Sequence, residues 1–221
     1  MSVSEQHHVH EIGPFTAEMT AGGSIGEAIG GGGAIVLAIL GLAGVLPGTL
    51  MAIAAIAVGG GLLFEGGAIA SRISRLMEQS EGETEMAEIG GGISAEFVAG
   101  GAGVVLGILS LLGLAPMALM PITAIVLGAA VVFGSGLNAS LRSMAVSHAG
   151  PKGRYIANEA IAGATTVQVL VGLSAVVLGI LSLVGVGYTV TLTLIAFLAL
   201  GSSILLSGTA IAGKMLRVFQ H

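Results

Sequence analysis

Three long stretches of this chain contain no charged residue: 28–64, 97–141 and 160–213. A helix rises 1.5 Å per residue, so crossing a bilayer's hydrocarbon core takes about 20 apolar residues. Each stretch is therefore long enough for two crossings joined by a tight turn. Backbone amides have no water to bond in lipid, which leaves the α-helix as the form such segments take. Turn signals fall near the middle of each stretch: Leu46-Pro47-Gly48-Thr49, Ala115-Pro116 and Gly185-Val186-Gly187-Tyr188. Proline and glycine there end one helix and reverse the chain. The spacing predicts six helices, at about 27–46, 49–72, 96–115, 118–143, 166–185 and 189–216.

The rest of the composition agrees with a lipid environment. Of the 221 residues 54% are hydrophobic and 9% charged, against about 25% charged in soluble domains. Mean hydropathy is +1.02. Tryptophan is absent, so the usual aromatic belt is weak. Glycine reaches 38 residues without a collagen period, which points to close helix packing. The net charge of −5 and the lack of a basic stripe argue against nucleic acid as a partner. With no cysteine there is neither a disulfide nor a thiolate site. Residues 1–24 have no Lys or Arg and no apolar run of a signal peptide, so targeting through an uncleaved first helix is expected.

The three stretches also align with one another. A shift of 69 residues places Leu37 on Leu106, Pro47 on Pro116, Phe64 on Phe133 and Gly67 on Gly136. A further shift of 72 brings Val104–Leu111 onto Val176–Leu183, including Gly107 on Gly179 and Ser110 on Ser182. The expected fold is all-α: a polytopic membrane protein of six transmembrane helices, arranged as three tandem helical hairpins with a pseudo-threefold repeat. Its expected divisions are a polar cytoplasmic tail (1–26), hairpins at 27–75, 96–144 and 166–217, an acidic loop (76–95), a second loop (145–165) and a short C-terminal tail (218–221). All seven basic residues, Arg72, Arg75, Arg142, Lys152, Arg154, Lys214 and Arg217, follow even-numbered helices, on the side shared with both termini. Positive charge marks the cytoplasmic side. A multi-pass protein of the cell (inner) membrane with both termini cytoplasmic follows as an expectation.

The first helix of each repeat carries a stripe of small residues. Gly30, Ala34, Ala38 and Gly41 match Ala99, Gly103, Gly107 and Ser110, and then Val171, Ala175, Gly179 and Ser182; eleven of the twelve are small. Spacings of three and four put each set on one helix face. Lipid gives no reward for burying apolar surface between helices, so association rests on close approach, which small faces allow. These stripes are expected to form the inner seam of the bundle. Three residues earlier on the same face stand Glu27, Glu96 and Gln168. They form either a shared vestibule or cation site at the cytoplasmic end, or separate side chains favoured by helix N-termini and nearby water.

Weaker candidates surround this pattern. Glu65 follows Phe64, with Gly134 and Leu206 in its places in the other repeats; it either pairs with Arg72, lines a cavity or snorkels to the interface. His7, His8 and His10, with Glu5 and Glu11, are read as a mobile polar tail rather than a metal tract. Glu78, Glu81, Glu83, Glu85 and Glu88 make a solvated acidic loop. Glycine runs at 30–33, 59–61 and 90–92 are not phosphate loops, since no Lys-Ser/Thr follows. Aspartate is absent and no Ser/His/Asp set can be assembled, so neither enzymatic chemistry nor a cofactor is expected.

The hairpin pattern resembles the HdeD-like acid-resistance membrane proteins. The resemblance lies in Leu106-Gly107-Ile108-Leu109 with Pro116 and Ser135-Gly136, in Leu178-Gly179-Ile180-Leu181 with Ser207-Gly208, and in Pro47 with Gly66-Gly67. The third copy departs from it, with Tyr188 where proline is expected. The resemblance implies six helices and a role in envelope stress, with no catalytic residues to carry over. Three functions are expected to compete: a structural membrane protein acting on lipid, a channel or transporter for a small solute, gas or cation, and an accessory subunit. Homo-oligomers or other membrane proteins are the expected partners besides the bilayer.

Overall fold

The computed structural model describes the backbone of residues 14–77, 86–146, 151–185 and 187–218, and the side chains of 26–67, 95–135, 165–185 and 187–207. Six helices follow one another: α1 (Pro14–Leu42), α2 (Pro47–Met77), α3 (Met86–Leu111), α4 (Pro116–Val146), α5 (Pro151–Val184) and α6 (Thr189–Val218). Four contain stretches long and apolar enough to cross a membrane: Pro47–Gly67, Pro116–Ser135, Thr165–Val184 and Thr189–Ser207. The apolar parts of α1 and α3, Gly26–Leu42 and Ala95–Leu111, are somewhat shorter. The architecture is that of a helical membrane protein.

The helices extend well past the charge-free stretches. α1 begins at Pro14, inside the segment expected to be a polar tail, and α5 begins at Pro151, inside the expected loop 145–165. Likewise α2 runs to Met77 and α3 begins at Met86, which narrows the expected loop 76–95. Hydropathy reports where lipid contact begins, whereas backbone bonding continues wherever propensity allows. Proline at the first position explains four of the six starts, because its missing N–H is unbonded there in any case.

The turns show how the chain reverses. At the end of α1, Gly44 N–H bonds Gly41 C=O and Val45 N–H bonds Leu40 C=O, and Gly113 and Leu114 repeat this at the end of α3. This pairing closes a helix through a left-handed residue, and φ is +90° at Gly44 and +83° at Gly113. Leu46 (φ +38°) and Ala115 (φ +36°) then hold unfavourable positive angles just before Pro47 and Pro116. The third turn differs: Gly185 and Gly187 take the positive angles, and α6 opens on Thr189. Thr189 Oγ1 donates to Ser182 C=O (3.2 Å), and Ser182 Oγ donates back to Thr189 C=O (2.9 Å). Hydroxyl bonds there stand in for the rigid proline. Tyr188 is one residue extra, so α6 aligns with α4 at a shift of 73, not 72.

The helices form a ring in chain order, closed by α6 against α1. Only α2, α4 and α6 touch one another across the middle; among the described residues α1, α3 and α5 have no mutual contact. The small-residue stripes therefore pack against the even-numbered helices and not against one another. They face inward, but into the grooves between even-numbered helices: Gly30 lies against Ala57 C=O of α2, Gly41 against the Leu194 side chain of α6, Gly103 against Leu127 of α4, and Gly179 against Pro121 C=O of α4. The even-numbered helices thus lie inside, and α1, α3 and α5 pack over the grooves between them.

The tightest backbone-to-backbone approaches lie between hairpins, and on the odd-numbered helices they involve the glycine one position beyond the stripe. A methyl group on Gly59 would meet Gly100 C=O at 2.6 Å, and one on Gly100 would meet Gly59 C=O at 2.7 Å. Gly128 and Gly172 stand in the same reciprocal relation (2.7 and 2.6 Å), as do Gly201 and Gly31 (2.9 and 2.6 Å). The seams α2/α3, α4/α5 and α6/α1 are thus built alike. Gly60, beside Gly59, has open space where its side chain would be. The two neighbours are expected to respond oppositely to alanine: Gly59→Ala costs about 2 kcal/mol by forcing the helices apart, whereas Gly60→Ala is neutral or gains up to about 1 kcal/mol of helix propensity. Thermal unfolding of both variants in one detergent checks the pair, and equal losses would contradict the seam.

Candidate functional site

The polar end of the bundle is set by the glycine seams. Glu27, Glu96 and Gln168 each stand four residues before a seam glycine, Gly31, Gly100 and Gly172 respectively, which is about one helical turn. Each is therefore carried to the same level of its helix, beside an even-numbered neighbour. Glu27 (3% exposed) and Glu96 (4%) are buried, while Gln168 is half-buried. Buried ionisable groups inside apolar helices are costly and tend to be functional.

Glu65 on α2 joins them. It is 8% exposed. The Glu96 carboxyl group lies within electrostatic reach of both Glu65 and Glu27, so acidic side chains of α1, α2 and α3 stand near one another. The structure thus places Glu27 and Glu96 within electrostatic reach of one another, and Glu65 joins them. The sequence marks Glu65 as a separate interfacial residue because it lacks an acidic counterpart in the other repeats. Ser207 Oγ of α6 lies 3.4 Å from Glu65 Oε1 and donates to it. With the one-residue insertion in the third turn, Ser207, and not Leu206, takes the place of Glu65; Leu206 is exposed. A shift assumed constant through the third repeat hides this partner.

Gly134 occupies the matching place on α4, and its role is to leave room. A Cβ there would fall on the Glu96 carboxyl group. Glu96 is thus seated over a backbone notch between α2 and α4. At one level the even helices present three different groups: a carboxyl group at 65, a notch at 134 that Glu96 fills and a hydroxyl at 207. Among the described residues no three His, Cys, Asp or Glu side chains are grouped to hold one metal ion. The side chains of Arg72, Arg75, Arg142, Lys152, Arg154, Lys214 and Arg217, and the histidines at 7, 8 and 10, lie outside the described residues.

The hydroxyls nearer the turns are mostly engaged within their own hairpin. Thr123 Oγ1 donates to Leu119 C=O (2.8 Å) and Thr193 Oγ1 to Thr189 C=O (2.8 Å), while Ser182 Oγ lies 2.9 Å from Thr193 Oγ1. Thr191 is exposed on the outer surface. Ser110, the counterpart of Ser182, is buried without a partner for its Oγ. The residue facing it in register is Met120 where the third repeat has Thr193. Comparison with known protein families, with curated proteins and with solved structures gives no match to this chain.

Two expectations follow. Gly134→Ala is expected to destabilise the bundle through Glu96 alone, so adding Glu96→Ala restores stability, with a coupling of about 1–3 kcal/mol in a double-mutant cycle. Additive losses in thermal unfolding would contradict the notch. Ser110→Ala is expected to be neutral or stabilising, since it removes an unmet buried hydroxyl, whereas Ser182→Ala costs about 1 kcal/mol by breaking a bonded pair; the same unfolding assay separates the two.

Proposed function

We propose that this chain is a non-enzymatic integral membrane protein that crosses the cell membrane six times, as three hairpins around a pseudo-threefold axis, with both termini cytoplasmic. Its role on this reading is structural: it organises or stiffens the membrane around it, and the resemblance noted above suggests envelope stress as the setting. One observation carries the reading. The axis is filled by apolar side chains, with Met51, Leu62, Met120, Leu127, Leu194, Phe197 and Leu200 fully or almost fully buried. The outside is apolar as well, with Val36, Val105, Ile108, Leu170, Val177 and Phe133 exposed. A body that is greasy on its surface and carries large apolar side chains at its centre is suited to contact with lipid more than to conduction through that centre. The three seams alike in geometry support the repeat, and the location of all seven basic residues supports the orientation.

A second reading has its own observation. Glu27, Glu65 and Glu96 are buried among apolar helices with Glu96 in electrostatic reach of the other two, and acidic side chains so placed favour a cation near them. On this reading the protein senses or moves a small cation.

Reconstitution separates the two. In liposomes at high protein density the structural reading expects changed vesicle size or bending stiffness, with cation and proton flux at the level of empty vesicles. The cation reading expects flux that falls about tenfold or more in Glu96→Gln and Glu65→Gln, the loss typical of a removed buried charge. Vesicles unaltered in shape and in flux would remove both.

A further inference from the structure

The end of the bundle opposite the carboxylates is as apolar as its flanks. Leu46, Leu112, Leu114, Met117, Val184 and Tyr188 are all more than half exposed there, Val184 most at 74%. No charged residue lies in or near any of the three turns. The turn backbones of α1 and α3 bond their own amides back to the helix, so they offer few open polar groups to water. A water-facing end on a membrane protein ordinarily carries charge or an aromatic belt, and a contiguous apolar surface of this kind marks contact with another apolar phase.

Length says which phase. Phe64, Phe133 and Leu206 are exposed large side chains at the carboxylate level, next to Glu65, Gly134 and Ser207. Each stands seventeen residues beyond the first residue of its helix, Pro47, Pro116 and Thr189. Seventeen residues rise about 26 Å, against a hydrocarbon core of about 30 Å. With the carboxylate end held at the cytoplasmic interface, the turns stop a few ångströms short of the far headgroups. We infer that the three turns form a lipid-docking surface: they remain beneath the headgroups of the far leaflet, cover themselves with its acyl chains, and draw that leaflet inward so that the membrane is thinned around the bundle. This inference rests on the membrane-spanning reading given above and adds to it the occupant of the turn surface.

The chain has no native cysteine, so single cysteines report cleanly. Leu46→Cys, Leu114→Cys and Tyr188→Cys, with Val105→Cys as a mid-helix control and Thr84→Cys as a control in the acidic loop, are reconstituted in vesicles and labelled with an environment-sensitive fluorophore. The turn probes are expected to be quenched by lipids brominated on the acyl chain near the glycerol. Their reaction with a membrane-impermeant maleimide, added on either side, is expected to be about tenfold or more slower than that of Thr84→Cys, as hydrocarbon excludes the reagent. Thermal stability is expected to be greater in short-chain than in long-chain phosphatidylcholine. Fast maleimide labelling of the turns, or turn-to-turn cross-links between two copies in place of lipid quenching, overturns the inference while leaving membrane insertion intact. If alkaline carbonate strips the protein from membranes and Val105→Cys also escapes quenching, the membrane reading itself fails.

Discussion

The arrangement depends on backbone meeting backbone at three places: Gly59 with Gly100, Gly128 with Gly172, and Gly201 with Gly31. Between helices in lipid there is no water to release, so affinity must come from dispersion at short range and from weak contacts that only a missing side chain permits. Two of these seams join hairpins that follow one another in the chain. The third joins α6 to α1, from opposite ends of the sequence, and closes the ring. Because the same glycine geometry serves in all three, closure needs no special device beyond the one that builds the rest. The cost is helical: glycine weakens an isolated helix, and the membrane offsets that by penalising any unpaired amide.

From these seams the polar end follows. Glu27, Glu96 and Gln168 each precede a seam glycine by about one turn, so the same contacts that fix the helices fix the height at which their polar heads emerge. The inner helices then decide what those heads meet. Where α4 has Gly134, the Glu96 carboxyl group fills the vacancy; where α2 has Glu65, a second carboxylate faces it; where α6 has Ser207, a hydroxyl donates to Glu65.

Much of this was legible in the residues, for physical reasons that also define where reading stopped. Charge-free length sufficed for the helices, because lipid imposes it directly. The ends of α1, α3 and α5 were not legible, since outside lipid no hydropathy signal separates helix from tail; Pro14 and Pro151 were the available hints. Glu27 and Glu96 stood out through their spacing from small residues, but a stripe says which face is buried without saying against what. The even helices filled the axis because they carry the bulky side chains, Met51, Leu127 and Phe197 among them, while the glycine-bearing helices were left to cover them. Gly31 and Gly100 escaped because adjacent glycines share those runs, and only geometry distinguishes a glycine that touches a carbonyl from one, such as Gly60, that faces open space. Ser207 escaped through the single residue added at Tyr188.

That added residue has a consequence for the whole polar end. In the first two repeats a rigid proline starts the inner helix, and the register of α2 against α1 matches that of α4 against α3. In the third, Tyr188 lengthens the turn and the hydroxyls of Ser182, Thr189 and Thr193 hold it. The register of α6 advances by one residue, which turns Ser207 inward, toward Glu65, and Leu206 outward, to where Phe64 and Phe133 stand in the other repeats. Had the turn kept its shorter form, a leucine would have faced Glu65 and this hydroxyl bond would be lost. The insertion therefore does more than close a loop. It sets a hydroxyl from α6 against Glu65, so that repeats alike in backbone present different groups at one level.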